Sequence, residues 1–311
     1  MTTPVRTAMA AALAGLLLAV SGCALRPAGT DADLVDDWRP LAAPKVELPA
    51  AGACLTATPQ GPFDPGYTVA TPISCDRSHT LEVVLIGTVE GNAAQASQPP
   101  APGSEAFQAA YTACGKAVTE YVGADWHTGM LTIDVRQPNV RAWQGGLRSY
   151  VCSVLSLSDA YGETQYTTGT LRGALAGAAP HAMRCFKLTG TAGADGWWDR
   201  LDALRPADCA TPHEGEFAGT TRIDAGAGGK LPAVALLDKW AGDRCWTVVA
   251  KFVGLTEAAL NRRDDIAMSW DIMDTFQWDA GDRHLRCFAL VRPGKQVRAS
   301  MRGLGAKGLP V

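Results

Sequence analysis

Two stretches, Cys75-Asp-Arg-Ser-His79-Thr-Leu-Glu82 and Cys209-Ala-Thr-Pro-His213-Glu-Gly-Glu216, share the pattern C-x-x-x-H-x-x-E. Working outward from each finds further matches in the same order. After the next cysteine comes C-x6-[YF]-V-G, as Cys114, Tyr121, Val122, Gly123 and as Cys245, Phe252, Val253, Gly254. Before the last cysteine comes W-x-x-G-x-R-x-x-x-C, as Trp143, Gly146, Arg148, Cys152 and as Trp278, Gly281, Arg283, Cys287. Each set closes on an Arg-Gly pair, Arg172-Gly173 and Arg302-Gly303. Three multi-residue patterns in one order mark an internal duplication. The copies span residues 50–176 and 181–311, with the boundary in the small-residue run Ala174 to Pro180.

The cysteines follow the same duplication. Of nine, Cys23 stands apart near the amino terminus and eight fall in two sets of four. The gaps are 21, 39 and 38 residues in the first set and 24, 36 and 42 in the second. An even number in an exported chain reads as disulfides. Four cysteines allow three connectivities. Neighbour pairing is the expectation: Cys54–Cys75 and Cys114–Cys152, then Cys185–Cys209 and Cys245–Cys287. The first of each pair of bridges links segments expected as adjacent strands, and the second ties a helix to the sheet.

Each copy reads as a small α+β domain, an antiparallel sheet with one packed helix and two disulfides. Strands are expected at the first cysteine, at 81–89 and 216–223, and at the fourth cysteine over 147–157 and 285–292. A last short strand is expected to hold the Arg-Gly pair. Phe107, Ala110, Tyr111, Cys114, Val118, Tyr121 and Val122 recur at helical spacing. In the second copy Leu236, Leu237, Trp240, Trp246, Val249 and Phe252 take that place. Gly123 and Gly254 stand where a helix ends.

The amino terminus carries an address. Arg6 is followed by the apolar run Met9 to Val20, which has signal-peptide length and is too short for an ordinary membrane span. Val20-Ser21-Gly22-Cys23 resembles the lipobox of bacterial lipoproteins. That resemblance implies a leader over residues 1–22, acylation of Cys23 and a membrane-lipid anchor on the outer face of the cytoplasmic membrane. Residues 23–49, with four prolines, read as an extended tether.

The Gly52-Ala53-Cys54 start, the C-x-x-x-H-x-x-E segment, the cysteine-bearing helix and the W-x-x-G-x-R-x-x-x-C segment resemble the septum formation domain family. The family occurs in exported and membrane-anchored actinobacterial proteins. The resemblance covers nearly all of the chain beyond the tether, in both copies. It departs at Ser78, where proline is common before the histidine, and at Met183-Arg184-Cys185, which lacks the starting glycine. It implies a role in cell division and brings no catalytic residues.

Charge excludes some partners. With 28 basic and 31 acidic residues the chain has no basic field for nucleic acid. The C-x-x-x-H spacing fits zinc ligands, but disulfides compete for the same sulfurs, so no metal is expected there. His79 with Glu82 and His213 with Glu216 read first as buried turn-bracing pairs, and second as binding or sensing groups. Trp197 and Trp198 lie in a turn-rich stretch and read as locally packed rings or as an exposed binding loop. No catalytic set and no cofactor motif stands out. The expectation is a non-enzymatic envelope lipoprotein that binds a protein or cell-wall component. The alternatives are a small-ligand or pH-sensing module with a cleft between the copies, and an envelope hydrolase.

Overall fold

The structure is a computed structural model that describes residues 48–56, 72–223, 231–272 and 275–311. The leader, Cys23 and all of the tether but its last two residues lie outside the described residues. Residues 47–311 make one compact unit containing two sheet-and-helix halves. Among the described residues no helix is long and apolar enough to cross a membrane.

The first half contains β1 (Cys54–Leu55), β2 (Leu81–Thr88), the helix α1 (Glu105–Val122), β3 (Leu131–Arg136), β4 (Ser149–Leu157) and β5 (Thr164–Gln165). Its sheet runs β1-β2-β4-β3, all antiparallel, and β5 pairs with the end of β4. The second half contains β6 (Cys185–Ala192), β7 (Trp198–Ala207), β8 (Gly215–Arg222), the helix α2 (Val234–Val253), β9 (Ile266–Asp271) and β10 (His284–Val291). Its sheet runs β7-β6-β8-β10-β9, again antiparallel. The second order is the first with the hairpin partner β7 added at one edge.

Side-chain periodicity explains the helices. The seven residues at helical spacing in the first copy are the seven buried residues of α1. The hydroxyl of Ser104 accepts the Phe107 amide at its start, and Gly123 ends it at φ +90°. In α2 the buried face is Leu237, Ala241, Cys245, Val249, Ala250, Phe252 and Val253. Leu236 faces outward and Trp246 is only half-buried, its indole donating to Asn261 at 2.5 Å. Leu236, which a hydrophobicity pattern assigns to the core, is thus left in solvent, while Trp246 covers the edge of the core. Trp143 and Trp278, on short helical turns, are buried beside the helix-to-sheet disulfides.

The structure differs from the sequence expectations at three places. The chain between each helix and its tryptophan turn forms a strand where none was expected. In β3 the alternation Leu131, Ile133, Val135 inward and Thr132, Asp134, Arg136 less buried is the period-two signal of a half-buried strand. The Arg-Gly pairs sit in turns rather than in a last short strand, because their glycine amides cap the helix end instead of extending a sheet. The stretch around Trp197 is a hairpin: Gly193 to Gly196 turns the chain and Trp198 opens β7.

All four disulfides join sequence neighbours: Cys54–Cys75, Cys114–Cys152, Cys185–Cys209 and Cys245–Cys287. The last closes a separation of 42 residues, tying α2 to β10. Cross-linking a loop of that length restricts the unfolded chain by about 4 kcal/mol in the chain-entropy treatment. The double replacement Cys245→Ala/Cys287→Ala is therefore expected to lower the unfolding free energy by about that amount. Urea denaturation without reductant measures it.

Candidate functional site

The duplicated motifs assemble into one device, built twice. His79 is fully buried, with Nδ1 donating to the Arg77 carbonyl at 2.8 Å and Nε2 meeting Glu82 Oε1 at 3.2 Å. His213 repeats this with the Thr211 carbonyl at 2.8 Å and Glu216 at 3.2 Å. Each histidine backbone also exchanges two hydrogen bonds with the closing segment, His79 with Thr167 and His213 with Val297. Glu82 then accepts the Leu171 amide at 2.6 Å, the Thr170 hydroxyl at 3.0 Å and the Tyr121 hydroxyl at 2.8 Å. Glu216 accepts the Met301 amide at 2.7 Å and the Ser300 hydroxyl at 2.6 Å. Buried carboxylates persist only with this kind of satisfaction.

The Arg-Gly pair completes the latch. The Gly173 amide donates to Tyr121 and the Gly303 amide to Phe252, satisfying carbonyls at the ends of α1 and α2. The guanidinium of Arg172 lies over the Tyr121 ring, 4.3 Å from its centre, and that of Arg302 over Phe252 at 4.5 Å. Likewise Arg148 covers Trp143 at 4.1 Å and Arg283 covers Trp278 at 4.0 Å. The Cys54, His79, Glu82 set and the Cys185, His213, Glu216 set each have metal-ligand proximity. Their sulfurs are bound in disulfides, and their imidazoles and carboxylates already satisfy each other. The two aromatic residues of the β6–β7 turn are half-buried and held locally. Arg292 lies over the Trp197 ring at 4.1 Å, and the Trp198 indole donates to the Val291 carbonyl at 2.9 Å.

A different set of residues lines the open space. A cleft of about 500 Å³ lies where the two halves meet. One wall is α1, through Tyr111, Thr112, Lys116 and Glu120. The chain just past α1 adds Asp125, Trp126 and His127, and the second half adds Arg222, Asp282 and His284. At its base Asp282 accepts from His127 Nε2 at 2.9 Å, from His284 Nδ1 at 2.7 Å and from the Tyr111 hydroxyl at 3.2 Å. Asp125 meets His127 Nδ1 at 2.6 Å. The imidazoles of His127 and His284 stack with centres 3.7 Å apart, and Trp126 packs on the other face of His127 at 3.8 Å.

The electrostatics reflect these contacts. Burial alone would raise the Asp282 carboxyl, but the hydrogen bonds and charges of His127 and His284 outweigh it and hold it far below the usual aspartate range. Burial likewise opposes charge on His127, yet its two carboxylate partners raise its affinity for the proton. Asp125 is lowered, its partial burial being overcome by His127.

Beneath the cleft the halves are bolted together by Arg286 of β10. Its fully buried guanidinium donates to four carbonyls of the first half: His127 at 3.1 Å, Gly129 at 3.2 Å, Leu131 at 2.9 Å and Ala160 at 3.5 Å. Burial pulls its proton affinity down and the nearby Asp271 and Asp282 carboxylates pull it back. Around it Met130, Leu157 and Ala160 of the first half pack with Met183, Phe186, Leu204 and Phe288 of the second.

The cleft residues escape a motif reading because motifs record what the copies share. Aligned on W-x-x-G-x-R-x-x-x-C, Asp282, His284 and Arg286 stand where the first copy has Leu147, Ser149 and Val151. Three polar or charged residues replacing an apolar, a small and an apolar one in a strongly patterned segment are a signal in themselves. Departures from the repeat mark the surface that the repeat does not build.

The family model described as septum formation matches residues 51–287, a span that takes in both halves. Neither the curated proteins nor the solved structures yield a match.

These contacts set two stability outcomes. Replacing Glu82 by Ala is expected to cost about 1 kcal/mol more than replacing Glu216, since only Glu82 holds a tyrosine hydroxyl. Comparing the two urea midpoints checks this, equal losses being the contrary result. Arg286→Met leaves buried carbonyls without donors and is expected to lower stability by about 3 kcal/mol or more, read in the same measurement.

Proposed function

The chain belongs to the septum formation family, and from that premise we propose that it is a non-enzymatic envelope lipoprotein serving cell division. It is held to the outer face of the cytoplasmic membrane through acylated Cys23. In the cleft between its halves it binds a partner protein or cell-wall component. The observation that carries this reading is the cleft itself. Its volume, about 500 Å³, falls in the range of ligand pockets. Its walls are rigid, because α1 and β10 are each fixed by a disulfide and the halves by Arg286. Its rim carries Lys116 and Arg222 beside Glu120 and Asp125, which suits a partner with charges of both signs. Binding fits better than catalysis, since His127 and His284 face carboxylates and neither bonds a serine or threonine hydroxyl among the described residues.

A second reading, a small-ligand module, draws on the same cleft. The stacked imidazoles over Asp282 are the groups that would contact a small ligand.

Localisation and complementation test the main reading. A fluorescent fusion is expected to concentrate at septa, and depletion to give chained cells or misplaced septa. Thr112 is exposed on the cleft wall, so Thr112→Trp fills the space without disturbing the core. That variant is expected to reach the septum and fail to restore division. A uniform membrane signal with normal division on depletion overturns the septal role. Full rescue by Thr112→Trp overturns the cleft as the place of binding.

A further inference from the structure

We propose that Asp125, His127 and His284 form a binding site for a divalent first-row transition cation, best matched by Zn²⁺, open to the cleft between the halves. The inference rests on the cleft being a binding site and is independent of the septal role.

Three donors are brought together from two halves of the chain. Asp125 and His127 lie just past the end of α1, and His284 opens β10. One ligand atom from each lies within 4.8 Å of the others. Two imidazoles and one carboxylate are the donor set that zinc takes in sites with an open position. Calcium and magnesium, which require oxygen donors, are disfavoured by the same set.

The arrangement behind the donors is the stronger argument. Metal-bound histidines commonly donate their second ring nitrogen to a carboxylate, which fixes tautomer and ring orientation. Here one buried carboxylate does this for both rings. Asp282 Oδ2 takes His127 Nε2 and Oδ1 takes His284 Nδ1. Donation of those two hydrogens leaves His127 Nδ1 and His284 Nε2 as the coordinating atoms. His284 Nε2 has no hydrogen-bond partner among the described residues. His127 Nδ1 meets Asp125 Oδ1 at 2.6 Å, so nitrogen and oxygen already address one point.

Binding breaks one N–H bond, that of His127 Nδ1, and forms two N–metal bonds and one O–metal bond. The proton between His127 Nδ1 and Asp125 leaves to solvent as the cation enters. Bond lengths near 2.0–2.1 Å set tetrahedral donors about 3.3 Å apart, so Asp125 Oδ1 must draw back from His127 Nδ1, now 2.6 Å away, while the three donors, now within 4.8 Å of one another, gather around the ion. Asp282 holds both rings and Trp126 packs on His127, so the adjustment falls mainly on the Asp125 side chain, 46% exposed, with His284, 21% exposed, turning about its bond to Asp282. The sets built on His79 and His213 lack this freedom: they are sealed, and their sulfurs are oxidised. Because its donors come from both halves, the cation reinforces their docking. Its remaining position faces the cleft, where an anionic group of a partner can complete the coordination.

The test is direct titration. Full-length protein, purified in detergent, stripped with chelator and kept free of reductant, is titrated with Zn²⁺ against a chromophoric competitor. One ion per chain is expected, with a rise in the thermal midpoint. Asp125→Asn, at an exposed side chain, is expected to weaken binding at least 10-fold, and His284→Ala more. Asp282→Asn, a positioning change, is expected to weaken it about 10–100-fold. In the Co²⁺-loaded protein, the visible absorption bands should change in each variant. Absence of stoichiometric Zn²⁺ binding overturns the site, as does binding that survives both Asp125→Asn and His284→Ala. Either result leaves the septal reading to the localisation and depletion test, and the cleft as a binding place to the Thr112→Trp complementation.

Discussion

The architecture turns on a buried guanidinium. Arg286 extends from the central region of the second sheet and donates to four carbonyls of the first half. A buried charge is tolerated only when its donors are used, and buried carbonyls only when they are met. Docking the halves without either partner would leave the other buried and unpaired. The apolar contacts around Arg286 add area, but they do not specify a register; four directed hydrogen bonds do. The cleft is a consequence: the carbonyl of His127 is one of those four acceptors, so fixing Arg286 also fixes the ring that lies over Asp282.

Within each half a different constraint operates. Glu82 and Glu216 are buried acids at the start of β2 and β8. Each gathers its histidine, the closing segment's amide and a hydroxyl, and so locks the last part of the half onto the sheet. The adjacent disulfides, Cys54–Cys75 and Cys185–Cys209, hold the loop before the histidine in place. The duplicated motif is thus scaffold. Function in such a molecule falls to the positions that scaffolding leaves unconstrained, and Asp282 and His284 are of that kind.

The septum formation family and the disulfide-bonded build are both consistent with an extracytoplasmic protein. A stapled scaffold suits the outside of a membrane, where thiols oxidise and chaperoned repair is absent. The two halves of this chain differ where they face each other, with Asp282, His284 and Arg286 standing where the first copy has Leu147, Ser149 and Val151. After duplication, identical halves would present identical surfaces. The shared cleft takes its helix wall, Asp125 and His127 from the first half and Arg222, Asp282 and His284 from the second.

Much of this was readable from the sequence alone, for a local physical reason. Period and composition act over a few residues: the spacing of Phe107, Ala110, Tyr111, Cys114, Val118, Tyr121 and Val122 named the buried face of α1, and Gly123 named its end. Repetition then named the halves; it left three cysteine connectivities open in each, of which the expected neighbour pairing is the one formed, and it left His79 and His213 readable either as bracing or as binding groups. Short strands without strong apolar runs, such as β3 and β9, were missed because their signal is weak alternation, and Leu236 was misplaced because two adjacent leucines at the start of a helix cannot both face the sheet. The relative placement of the halves, and with it the cleft, was decided only by tertiary structure. It depends on contacts between residues more than a hundred positions apart, Tyr111 with Asp282 and Arg286 with Gly129. No local pattern encodes such pairs, since each side chain is satisfied only after the other half has folded and docked.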